Sequence, residues 1–149
     1  MRGLVHHVDL TVRDPAQSFP LYDAVLTALG YRLERENVRG FGWELETPSG
    51  SHSIDLVRAS GDGAKHLHDR YSPGLHHLAW KVESREEVDL MYQRVLSVGA
   101  TVLDAPADYP QYNKGRGYYA VFFADADGLK LECVYTPPLG VDRALGRGR

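Results

Sequence analysis

The octapeptide Val5-His6-His7-Val8-Asp9-Leu10-Thr11-Val12 returns 70 positions later as Leu75-His76-His77-Leu78-Ala79-Trp80-Lys81-Val82. The same offset pairs Tyr22 with Tyr92, Val25 with Val95 and Leu26 with Leu96, so the match runs through a strand and the helix after it. The chain is an internal duplication. A unit of roughly 60 residues is marginal by itself, whereas two together reach the size of an ordinary domain. With 149 residues, 43% of them hydrophobic, the chain can bury a core.

Both octapeptides alternate apolar with other residues, the mark of a strand buried on one face. Val8, Leu10 and Val12 share a face with His6, and Leu78, Trp80 and Val82 share one with His76. His7 and His77 fall on the opposite, less apolar face. Two half-domains related by a pseudo-two-fold can then bring one imidazole each to a common point, with His6 and His76 on the helix-packed side.

The rest of each unit follows one plan. Asp14-Pro15 places an N-cap before a proline at the first helical position, and the helix is expected from about Pro15 to Leu29, ending at Gly30. Pro20 predicts a kink or an irregular first turn. Strands are expected at Tyr31 to Glu36, Phe41 to Glu46 and Ser53 to Arg58. In the second unit Ser84 and Glu87 form a capping box for a helix that ends at Gly99. Strands follow at Thr101 to Leu103, Tyr118 to Ala124 and Leu129 to Tyr135, the last two joined by the turn Asp125-Ala126-Asp127-Gly128. Residues 104 to 117 read as a long functional loop. The expected organisation is a single domain over 1–136, made of module 1 (about 4–59), a polar linker (60–73) and module 2 (about 74–136), with a basic tail at 137–149.

In the last strand Glu132 alternates out of register with Leu131 and Cys133, mid-strand among apolar neighbours. A carboxylate there is costly to desolvate unless paired or bound to a cation. Two imidazoles and one carboxylate on one side of a divalent metal leave positions open for water or substrate. His7, His77 and Glu132 are therefore the candidate metal ligands. Aligning Ile54-Asp55-Leu56 with Leu131-Glu132-Cys133 puts Asp55 at a fourth corner, as a ligand or as a group beside the substrate, although the offset is 77 rather than 70.

A duplicated βαβββ unit with His in the first strand of each half, and Glu after an Asp-x-Asp-Gly turn in the last strand, resembles the vicinal oxygen chelate superfamily of glyoxalases, bleomycin resistance proteins and extradiol dioxygenases. The resemblance covers nearly all of residues 4 to 136. It implies an α+β fold in which two tandem βαβββ modules form a cup-shaped mixed sheet, and a divalent metal (Zn, Fe, Ni, Co or Mn) held by His7, His77 and Glu132. It also implies chelation of vicinal substrate oxygens and, for a chain of this size, a homodimer. Asp55 falls where many members carry Glu or Gln, a departure that argues against glyoxalase I activity itself. Glu132, Asp55 and Tyr119 are the candidate catalytic residues. Tyr119 is taken with Tyr112 and Tyr118 as a donor to substrate, and Lys114 and Arg116 as a clamp for an anionic group.

The reading is a metal-dependent enzyme acting on a small oxygenated molecule, with lyase or isomerase chemistry first, ring-cleaving dioxygenation second and thiol or water addition third. The alternative is a metal-free small-molecule binding protein of the bleomycin-sequestering kind; a structural subunit is a third. A net charge of −3 and the lack of a basic-aromatic patch argue against a nucleic-acid partner. With no long apolar run and Cys133 as the lone cysteine, a cytoplasmic protein without a membrane partner is expected. His66 and His68 read as linker surface residues, and Cys133 as a packed residue rather than a nucleophile.

Overall fold

The computed structural model describes residues 2–139, so most of the expected basic tail lies outside the described residues. The elements are β1 (His7–Val12), α1 (Pro15–Ala28), β2 (Arg32–Asn37), β3 (Gly40–Thr47), β4 (Gly50–Arg58), β5 (His77–Val82), α2 (Arg85–Ser97), β6 (Thr101–Asp108), β7 (Tyr119–Ala124) and β8 (Lys130–Tyr135). They form two four-stranded sheets of identical plan, β1-β4-β3-β2 and β5-β8-β7-β6. In each, the first strand pairs in parallel with the last, and the other pairings are antiparallel. This is the expected α+β architecture of tandem βαβββ modules.

Local chemistry sets the helix ends. Asp14 caps α1 by accepting a hydrogen bond from the Ala16 amide at 3.1 Å, ahead of Pro15. The helix then runs without interruption through Pro20. Ser84 accepts from the Glu87 amide at 3.2 Å, while the Glu87 carboxylate accepts from the Glu83 amide at 2.7 Å, one residue before the position a standard capping box uses.

One expectation needs correction. The segment after Leu103 is not a loop throughout, because β6 continues to Asp108; only the stretch beyond it is irregular, with a single 3-10 turn at Asn113–Gly115. Its strand character was masked by Pro106, which sits where the β6–β7 register shifts and no ladder donor is needed. The polar linker carries a 3-10 helix at Gly61–Lys65.

Both modules feed one core. Tyr22, Val25, Leu26 and Trp43 of the first pack in the same cluster as Val88, Val95, Phe123 and Leu131 of the second. The Asp125–Gly128 turn fastens the modules together. The Tyr22 hydroxyl donates to Asp125 Oδ2 at 2.7 Å, while Asp125 Oδ1 accepts from the Asp127 and Leu129 amides at 2.9 Å each. Asp127 accepts from the Arg13 amide at 2.8 Å and Arg13 Nε at 2.6 Å, and its carbonyl accepts from the His68 amide at 2.8 Å. Burial pushes the Asp125 carboxyl above its ordinary range, against the opposing pull of these hydrogen bonds.

Tyr22→Phe removes one donor from a buried carboxylate and is expected to destabilise the chain by about 1–3 kcal/mol. Urea unfolding would show a lowered midpoint at constant slope; an unchanged midpoint would mean that the turn does not fasten the modules.

Candidate metal and ligand site

The parallel ladders state the repeat in three dimensions. His7 opens β1 opposite Ser53, and His77 opens β5 opposite Lys130. Two residues on, Asp9 faces Asp55 and Ala79 faces Glu132. Asp55 and Glu132 thus hold equivalent places, and the 77-residue offset comes from seven additional residues in the second module between its first and last strands.

Glu132 is the chemical centre of the second module. Its neighbours Leu131 and Cys133 point into the shared core, so strand alternation turns Glu132 to the sheet face without a helix, beside Ala120, Phe122 and Val134. Only 1% of it is exposed. Oε2 lies 3.3 Å from His77 Nε2, and Oε1 accepts a short hydrogen bond from the Tyr118 hydroxyl. Burial first, and then the hydrogen bond to and charge of Glu132, push the Tyr118 hydroxyl well above its ordinary pKa, so it stays a donor at neutral pH.

The histidine doublet orients the ring. His76 Nδ1 and His77 Nδ1 are hydrogen-bonded at 2.8 Å, and the two rings meet edge to face, with His77 Nε2 on the side of Glu132. His6 and His7 repeat the arrangement, with their Nδ1 atoms 3.0 Å apart. The expectation that His6 and His76 lie on the helix-packed face is therefore corrected. Both are exposed and precede their strands, where alternation does not yet apply. Desolvation first, and then the charges of His77, Arg70 and Lys130, lower the His76 pKa.

Two of the three expected metal ligands meet. Donors bound ~2.0–2.2 Å from one ion stand ~3.0–3.4 Å apart, so the His77–Glu132 spacing fits two adjacent positions of a divalent cation. His7 does not join them within the chain: among the described residues no three His, Cys, Asp or Glu side chains gather closely enough to hold a metal. The reason is topological. β1 and β5 are edge strands of separate sheets, and no backbone ladder joins them.

The other candidates are distributed as follows. Asp55 Oδ1 accepts from Arg35 Nη2 at 2.7 Å and Nε at 3.3 Å, and Oδ2 accepts from Ser53 Oγ at 3.0 Å. Its charge is already met by Arg35, which leaves it neither a free base nor an open ligand. Gly42 makes room for this pair, since a Cβ there would lie 2.4 Å from Asp55 Oδ1. Tyr119 points the other way from Tyr118, donates to Asp89 on α2 at 2.7 Å and lies under the Arg85 guanidinium at 3.8 Å, so it does not reach the site. Tyr118 is the residue that does, and the alternation beginning at Ala120 was the signal that separates the two. Tyr109 and Tyr112 stack at 5.7 Å, and Tyr109 meets Phe122 edge-on at 5.3 Å, forming an aromatic wall beside Glu132. Arg116 is tied to Asn113, and Lys114 is exposed. His66 is exposed, whereas His68 bonds the Leu75 carbonyl through Nε2 at 2.8 Å. Burial pushes the Cys133 thiol up to about 12, which keeps it protonated.

Comparison with known proteins agrees with this fold. Residues 4–133 match the model of the Glyoxalase/Bleomycin resistance protein/Dioxygenase superfamily. The uncharacterised protein YqjT of Bacillus subtilis (strain 168) is 31% identical over 130 residues, covering 87% of this chain and 97% of its own. A crystal structure from Bacillus halodurans, provisionally assigned as a glyoxalase, superposes with a TM-score of 0.74 at 28% identity and covers 90% of this chain and 96% of its own. A glyoxalase/bleomycin resistance protein/dioxygenase domain from Frankia sp. EAN1pec gives 0.65 at 26% identity, with coverages of 92% and 99%.

Gly42→Ala is expected to destabilise the protein by about 1–3 kcal/mol, as overpacking does, and to lose most of that cost in an Asp55→Ala background. A double-mutant cycle in urea checks this; additive costs would show that Gly42 does not serve the Arg35–Asp55 pair.

Proposed function

This chain belongs to the glyoxalase, bleomycin resistance protein and dioxygenase superfamily, and on that footing we propose that it is a metal-dependent enzyme acting on a small oxygenated substrate, working as a homodimer. The observation that carries the reading is the buried Glu132 carboxylate, 3.3 Å from His77 Nε2 and hydrogen-bonded by Tyr118. Buried carboxylates at this depth need a cation or strong donors, and this one has donors of the kind that position a ligand. His77 and Glu132 would hold the metal, with His7 as the third donor. Because His7 stands apart within one chain, the third donor is assigned to a second copy, through the edge strands β1 and β5, which among the described residues are unpaired on their outer sides.

A divalent cation bound there supplies positive charge against negative charge developing on vicinal substrate oxygens. The protein does the rest. His76 fixes the His77 ring, Tyr118 fixes the carboxylate rotamer and holds its own proton against Oε1, and the Tyr109, Tyr112 and Phe122 rings exclude water from one side. Lyase or isomerase chemistry through an enediolate is preferred to ring-cleaving dioxygenation, and that to thiol or water addition. The second reading, a metal-free binder, is favoured by the same aromatic wall, which would hold a planar ligand without any chemistry.

Adding Zn, Ni, Co, Mn or Fe(II) to the purified protein is expected to raise the melting temperature, since saturation at 100-fold over Kd adds about 2.7 kcal/mol. His7→Ala, His77→Ala and Glu132→Gln should each abolish the rise. Unfolding and refolding the first two variants together should restore part of it, because a mixed dimer contains one complete site. A mixture that behaves as its components would contradict the two-chain site, and no shift with any of these metals would favour the binder.

A further inference from the structure

Resting on the enzyme reading, we propose that Lys130 anchors an oxyanion, a carboxylate or phosphate, carried by the substrate next to its chelating oxygens. Lys130 is the ladder partner of His77, so the two side chains rise from the same face of the sheet, and Glu132 follows two residues later on that face. The ammonium sits 4.1 Å from the centre of the Phe122 ring. That ring belongs to the small apolar cluster around Glu132 and also touches Tyr109.

The cations at Arg13, Arg35, Arg58, Lys65 and Arg85 each have a carboxylate partner. Lys130 is picked out by its place: like Arg39, Arg70, Lys81, Arg94, Lys114 and Arg116 it has no ion-pair partner among the described residues, but it is half-buried beside His77 and Glu132 on their face of the sheet. Glu132, the acid on its own face, has Oε2 at His77 and Oε1 at Tyr118. A ring face attracts an ammonium by about 0.5–1 kcal/mol at such a site, which positions the charge without satisfying its three donors. Same-face residues two apart in a strand are separated by ~6.5–7 Å. A ligand with oxygens at His77 and Glu132 therefore reaches Lys130 with an acid group only a few bonds away. The substrate class that matches is a compact acid whose chelating oxygens neighbour its carboxylate or phosphate, its body lying along the Tyr109–Phe122 wall.

Benzoate, phenyl phosphate and the neutral benzamide can be titrated by NMR into the whole chain at low ionic strength without added metal. At least one anion should bind about tenfold more tightly than benzamide, the difference one charge-assisted hydrogen bond makes. Preference for benzoate assigns the site to carboxylates, and preference for phenyl phosphate to phosphates. Lys130→Gln should remove that advantage and leave benzamide unchanged, and Lys130→Arg should keep it. Equal binding of anions and benzamide, or an advantage that survives Lys130→Gln, overturns the proposal. The metal-induced melting shift should persist in Lys130→Gln, so a failed anion site and a failed metal site give different results.

Discussion

The Glu132 carboxylate is a negative charge with 1% exposure in the middle of a strand, and its cost organises the second module. Removing such a group from water is tolerated only when its lone pairs are met. Tyr118 donates to one oxygen, and His77 Nε2 stands 3.3 Å from the other with its ring held by His76. Those three side chains come from the end of the 109–118 connection, the start of β5 and the residue before it. A change in the path of any of these segments would leave the charge exposed to apolar neighbours alone. The first module solves the same problem at the equivalent place differently. Asp55, shorter by one methylene, is neutralised by Arg35 reaching across Gly42. The duplicated fold has kept two acid positions and given them different partners, so that one is closed by a permanent ion pair and the other is lined by groups that can also serve a ligand.

The coupling between modules rests on a third acidic element. The Asp125–Gly128 turn reads in the sequence as a connector between two strands, and it is one. It also receives Tyr22 and Arg13 from the first module and the backbone of the linker at His68. Since Lys130 and Glu132 follow this turn directly, the contacts that hold the modules together also fix where the site strand begins.

Much of this was legible in the sequence because it rests on periodicity. The 70-residue repeat gives the βαβββ plan, and alternation puts Glu132 opposite Leu131 and Cys133. It also makes Cys133 a packed residue, as its raised pKa agrees. Asp14 and Ser84 are read correctly as caps because capping is local. What was not legible depends on partners distant in the chain. Nothing near Asp55 announces Arg35, twenty residues earlier and two strands away. Alternation from Ala120 puts Tyr118 and Tyr119 on opposite faces, but which face holds the site and what engages Tyr119 depend on Asp89 and Arg85 of α2. The histidine doublets were assigned to two faces by alternation, but the first member of each stands ahead of its strand, where its ring is free to turn toward its neighbour.

The central claim is that His77 and Glu132 are two adjacent ligands of one divalent ion. It is tested most directly by anomalous diffraction at the metal edge from crystals of the purified protein soaked with Ni or Zn. The account predicts a peak ~2.0–2.2 Å from both His77 Nε2 and Glu132 Oε2, with an imidazole from His7 of a second copy completing the set. A fully occupied metal elsewhere, with Glu132 still held only by Tyr118 and His77, would contradict it.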